Sequence, residues 1–176
     1  MPTPIDIDLS RFVSIEIPVF SEVKGYIQNA LPSIQGKFVV NRSSTVGRSI
    51  MLTLSGKRKS MVPGSKSPKM NEMIEVMVHP NVAQDYGCVV PDGKAKDLNL
   101  YLKGVLQEQL NMHLALSQKH DPAYNIRIGI ESWMAMIGVS VDAKSVDSFK
   151  RNYFNWRLQE HPDLIRNRGR VPKYLR

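Results

Sequence analysis

Ser148, Arg151, Asn152 and Asn155 follow one another at steps of three, one and three residues. On a helix, at 100° per residue, they gather with Gln159 on one face. Their groups are a hydroxyl, a guanidinium and two carboxamides, all hydrogen-bonding and only one charged. A guanidinium can pair with guanine through two hydrogen bonds, and a carboxamide can do the same with adenine. The chemistry open to this face is therefore recognition of polar edges. It is not the making or breaking of bonds.

Catalytic constellations are harder to find. The chain has no P-loop, GxGxxG, HExxH or CxxC motif. His113 and His120 lie seven residues apart and could share a helix face, but no third metal ligand accompanies them. His79 and Cys88 could form a base and nucleophile, yet a single small thiol reads first as a buried apolar group. Glu72, Glu75, Asp85 and Asp92 could serve a metal-dependent nuclease, but their spacing is not diagnostic. The reading is a non-enzymatic protein with no cofactor and no metal. A nuclease is a minor alternative.

Two amphipathic helices must position the polar face. Ile126, Ile130, Trp133 and Ile137 recur at helical spacing. Gly138 can adopt the left-handed conformation that ends a helix. Ser145 suits the N-cap of the next helix. There Val146, Phe149, Tyr153 and Trp156 form a second stripe, so Trp133 and Trp156 are both expected in the core. Tyr153, Phe154, Trp156 and Tyr174 lie among basic residues, and of these Tyr174 is the one free to stack on bases.

The order helix, Gly-Val-Ser, turn, polar-faced helix over residues 126–159 resembles the helix-turn-helix superfamily of DNA-binding proteins. Val141–Lys144 makes the turn longer than that family's usual one. The resemblance implies a second helix in the major groove, with Ser148, Arg151, Asn152 and Asn155 as base contacts.

Charge points the same way. The 176 residues carry a net +8. Arg42 to Lys69 holds seven basic residues and no acidic one, and Lys144 to Arg176 holds nine basic and three acidic residues. The rest of the chain is left at −5 against the total of +8. Such segregation favours a polyanionic partner. Lys57, Arg58, Lys59, Lys66 and Lys69 in one run, and Arg166, Arg168, Arg170, Lys173 and Arg176 in the other, are the expected phosphate contacts.

The remaining segments complete the expected fold. Arg11–Phe20 alternates as a strand, with Pro18 placing it at an edge. Ser21–Leu31 suits a helix capped by Ser21 and stopped by Pro32. Lys37–Asn41, Val46–Leu54 and Glu72–His79 read as further strands, the last two joined as a long hairpin around the basic loop 55–69. Asn81–Lys96 reads as irregular, with a turn at Pro91–Lys94. Asp97 is expected to cap a long helix from Leu98 to about Gln118, with Leu98, Tyr101, Leu102, Val105, Leu106, Leu110 and Leu114 as its stripe.

The expected class is α+β: a small antiparallel sheet with a long basic hairpin and a long helix, then a helix-turn-helix-like pair. The expected divisions are a body at 1–119, the helix pair at 120–162 and a basic tail at 163–176. The expected function is non-enzymatic DNA binding, as a regulator or DNA-processing accessory factor of a phage or mobile element. DNA is favoured over RNA, in the cytoplasm or, if phage encoded, the virion. The alternative is a viral or phage assembly protein whose basic segments face nucleic acid. A homo-oligomer is compatible with either. Lacking a run of eighteen apolar residues, the chain is not expected to enter a membrane.

Overall fold

Val13, Ile15, Ile17 and Val19 alternate with polar residues and form an edge strand, β1 (Val13–Val19). Ile15, Ile17 and Val19 are buried, while Ser14 and Glu16 are exposed. The structure is a computed structural model that describes residues 9–55, 70, 72–139 and 142–160. Its class is α+β. At the edge of the sheet, the N–H that Pro18 lacks costs no ladder bond.

The other strands are β2 (Ser33–Ile34), β3 (Lys37–Val39) and β4 (Glu72–Val78), in the order β1-β4-β3-β2. β1 runs antiparallel to β4, from Val13 opposite Val78 to Val19 opposite Glu72. β2 and β3 form a small hairpin, and Gln35 and Gly36 at its turn have φ of 51° and 77°, the left-handed pair that a tight hairpin turn needs. β3 runs parallel to β4, with Phe38 opposite Val76 and Val39 opposite Met77. The sheet is therefore mixed, not antiparallel.

Val46–Leu54 corrects the expected strand: α2 (Thr45–Thr53) is a helix. Its buried residues Val46, Gly47, Ile50 and Met51 follow a helical period. Ser44 caps it by accepting from the Gly47 amide at 2.8 Å. The β-branched composition suggested a strand, but the cap and the four-residue period decide otherwise. The long basic hairpin falls with it, since β4 is preceded by a helix and pairs with β1 and β3. Residues 56–69 themselves lie outside the described residues.

α1 (Ser21–Ala30) begins after Phe20, so Ser21 is its first residue and not its cap. Fully buried Asn99 makes this junction. Its oxygen accepts from Phe20 N at 2.8 Å, and its amide donates to Pro18 O at 2.9 Å and Ala95 O at 2.8 Å. One side chain thus satisfies the end of β1 and the start of α1.

Two further corrections concern Asn81–Lys96. α3 (Pro80–Tyr86) is a helix with Pro at its first position and Gly87 after its end, the usual asymmetry of helix termini. α4 (Asp92–His120) starts five residues before the expected boundary at Asp97. Pro91 O already accepts from Ala95 N at 2.8 Å, so Pro-Asp opens a helix here.

The chain forms two compact units, Met1–Gly104 with Ile137–Val139, and Val105–Met136 with Ser140–Arg176. The division falls inside α4, between Gly104 and Val105. A regular leucine stripe shows that a helix is buried, but not which core each leucine enters. In the first unit α4 buries Ala95, Leu98, Asn99 and Leu102; in the second it buries Leu106, Leu110, Asn111 and Leu114. Tyr101, expected in the stripe, is 51% exposed. Among the described residues no helix is long and apolar enough to cross a membrane.

Candidate nucleic-acid interface

The second unit holds the end of α4, α5 (Ile126–Met136) and α6 (Ala143–Glu160). Asn125 starts α5 by accepting from Arg127 N at 3.0 Å. The helix buries Ile126, Gly129, Ile130, Trp133 and Met134. Asp142 starts α6, accepting from Ser145 N at 2.7 Å. Asp142 is thus the cap, and Ser145 lies inside the helix. Hydrogen bonds from Ser145, hydroxyl and then amide, hold the Asp142 carboxyl below its ordinary pKa.

α6 buries Val146, Phe149 and Tyr153. Trp156 is only half-buried, against expectation. It sits at the edge of the stripe and stacks on Tyr153, with ring centroids 6.1 Å apart. Polar bonds fix the same side of the helix. Gln118 Oε1 accepts from Tyr153 OH at 2.8 Å and from Arg157 Nη1 at 2.7 Å. Burial pushes the Tyr153 hydroxyl pKa up, against the charge and hydrogen bond of Arg157.

The opposite side of α6 carries Ser148, Arg151, Asn155 and Gln159, all exposed. None of the four makes a hydrogen bond or ion pair among the described residues. Asn152 is also exposed, but its amide donates to Gln107 Oε1 at 3.2 Å, so it is already engaged at the edge of this face. Lys144 joins this face, exposed and without a hydrogen bond among the described residues, its charge acting on Asp142 at the start of the helix. It was not assigned from sequence because the helix was expected to begin after Ser145. Its spacing of four from Ser148 is the signal that a correct start would have made legible.

The segment Ile137–Val139 belongs to the first unit. Gly138 has φ 70°, the expected left-handed conformation. Asn29 Nδ2 donates to Ile137 O and, at 3.0 Å, to Gly25 O. A Cβ on Gly25 would lie 2.8 Å from both Gly138 O and Val139 Cγ2. Gly25 and Gly138 therefore let the turn sit directly on α1.

The remaining candidates are dispersed or lie elsewhere. Lys57, Arg58, Lys59, Lys66 and Lys69 lie outside the described residues, as do Arg166, Arg168, Arg170, Lys173, Tyr174 and Arg176. Cys88 is exposed, which corrects the buried thiol. His79 Nδ1 accepts from Asn81 N at 3.3 Å and caps α3. Glu72 pairs with Lys24, Glu75 accepts from Ser14, and Asp85 lies 3.5 Å from Arg42. No group of three metal-ligating side chains forms among the described residues. No family model, curated protein or solved structure matches this chain.

Proposed function

We propose that this chain is a non-enzymatic DNA-binding protein, a regulator or DNA-processing accessory factor, that reads duplex DNA with the outer face of α6. The observation that carries this reading is the free face itself. Lys144, Ser148, Arg151 and Asn155 stand exposed at helical spacing on an 18-residue helix whose other side is packed. From Lys144 to Gln159 the face extends about 22 Å, at 1.5 Å per residue. Arg151 suits guanine and Asn155 suits adenine, one turn apart. Lys144 suits a phosphate, and the basic runs at 57–69 and 166–176 supply further phosphate contacts. The resemblance to helix-turn-helix proteins agrees with this use of the second helix.

The test starts with selection from a random duplex library. Binding of the enriched duplex and of a random one is then measured by anisotropy across several salt concentrations. A sequence reader prefers the enriched duplex by a factor of about 1,000 or more. A ratio near one would defeat the reading of bases and leave only phosphate gripping.

A second reading, an assembly protein, draws on a different observation. Met112 and Leu116 lie one turn apart on α4 and are 54% and 56% exposed. Ile128 and Met136 of α5 are exposed as well. Such apolar surface suits a subunit contact. Sedimentation equilibrium would reveal it as a mass above 19.9 kDa, and Leu116→Glu should then return the monomer.

A further inference from the structure

The part of α4 that lies in the second unit, from Val105 to His120, is apolar on two sides. Leu106, Leu110 and Leu114 are buried in the core of that unit. Met112 and Leu116 lie one turn apart on another side, 54% and 56% exposed. α6 is held by Gln107, which accepts from Asn152, and by Gln118, which accepts from Tyr153 and Arg157. At 100° per residue, these two glutamines lie about 150° round the helix from Met112 and Leu116. The exposed apolar pair is therefore on the side of α4 turned away from α6.

Charge is laid out along the same side. Glu108 precedes Met112 by one turn, and Lys119 and His120 follow Leu116 by one turn. All three are exposed and make no hydrogen bond or ion pair among the described residues. Asp121, just past the helix, is already engaged by the Ala123 amide at 2.9 Å. Glu108 and Lys119 stand about 17 Å apart along the axis, at 1.5 Å per residue. This side of α4 is thus apolar in the middle, negative at one end and positive at the other.

Such a side is its own complement when turned end for end. A two-fold axis midway between Met112 and Leu116 sets each against the other in the copy. Glu108 then meets Lys119 and His120 of the copy, and symmetry repeats the pairing at the other end, as an isologous contact requires. In a parallel pair Glu108 would face Glu108, and Lys119 would face Lys119. A partner of one sign, nucleic acid included, would be repelled at one end.

We propose that a second copy of this chain packs antiparallel on this side of α4, with Met112 and Leu116 at the centre of the contact. This pairing rests on the assembly reading, whose partner and register it names, and is independent of DNA reading by α6.

The test is sedimentation equilibrium of the full chain at low salt, with circular dichroism to confirm that each variant folds. The wild-type chain should weigh twice 19.9 kDa. Glu108→Lys and Lys119→Glu should each raise the dimer dissociation constant about tenfold or more, since like charges then face each other at both ends. Both changes in one chain should restore the wild-type constant, because opposite charges face each other again. The two single variants, when mixed, should pair with each other for the same reason. A wild-type chain that stays monomeric overturns both this pairing and the assembly reading. A dimer indifferent to either charge reversal, or one that the double variant fails to restore, overturns this pairing alone and puts the subunit contact elsewhere.

Discussion

α1 and α6 are both amphipathic, yet their polar sides are used differently. On α1, Glu22 binds Lys103, Lys24 binds Glu72, and Asn29 binds Gly25 O and Ile137 O. On the outer face of α6, Ser148, Arg151 and Asn155 bind nothing among the described residues, and Lys144 meets only the charge of Asp142 at the start of the helix. Internally satisfied polar groups hold a structure together, whereas a row of free ones on a packed helix is available to a ligand. The exception on α1 sharpens the contrast: Gln28 is unpartnered, and it lines a cleft beside β4.

The largest effects should come from the packed sides. Trp133 is 7% exposed, and Trp133→Ala should cost about 3–5 kcal/mol in denaturant unfolding. Half-buried Trp156 should cost less on the same change, about 1–2 kcal/mol, within the common range for point substitutions. Equal losses would mean that α6 is turned differently about its axis. Next comes Gly25→Ala, where the new methyl would meet the backbone oxygen of Gly138. A loss of about 1–3 kcal/mol is expected from such overpacking. Gly104→Ala is the control, since open space surrounds that position. It should gain up to about 1 kcal/mol, the helix-propensity difference.

Much of this architecture is legible in the residues, and the failures have physical causes. Alternation located β1, and Pro18 placed it at an edge. The Ile126–Trp133 and Val146–Tyr153 stripes located α5 and α6, and Gly138 marked the turn between them. Thr45–Thr53 misled because Val, Ile and Thr favour strands, while the deciding Ser44 cap is a local bond that competes with composition. Asn81–Lys96 reads as irregular, with a turn at Pro91–Lys94, although proline also opens helices. The free face was legible from spacing alone as far as Ser148, Arg151 and Asn155. That Asn152 is engaged by Gln107 could not be read, because the partner lies 45 residues away.

An intermediate effect should appear at acid pH on α1. Burial alone would raise the Glu22 pKa, but the Lys103 hydrogen bond and charge, with a backbone amide, hold it below its ordinary value. A carboxylate whose pKa is lowered by folding adds stability above its unfolded pKa and loses it as pH falls through the folded value. The pair is partly exposed, so its contribution should be about 0.2–1 kcal/mol at neutral pH. Glu22→Gln should lower stability by that amount at neutral pH and by less below about pH 4, near the ordinary carboxylate pKa. A constant difference from pH 7 to pH 3 would show that the charge on Glu22 is not what matters.

The smallest effect on stability should come from the free face, where the effect on binding should be greatest. Arg151→Ala and Asn155→Ala remove exposed, unpaired groups, so unfolding should change by no more than about 0.5 kcal/mol. If Arg151 and Asn155 read bases, each change should cost roughly 1–3 kcal/mol on the preferred duplex and leave random duplexes nearly untouched. Lys144→Ala should act differently. It should weaken both duplexes alike and reduce the salt slope by about 0.9, the value for one lost phosphate contact. Asn152→Ala completes the set. It breaks the bond to Gln107, so it should lower the melting temperature without altering base preference. Should Arg151 and Asn155 behave like Lys144, α6 grips phosphates and reads nothing. Should they lower the melting temperature as Asn152 does, the outer face of α6 belongs with α1, as structure.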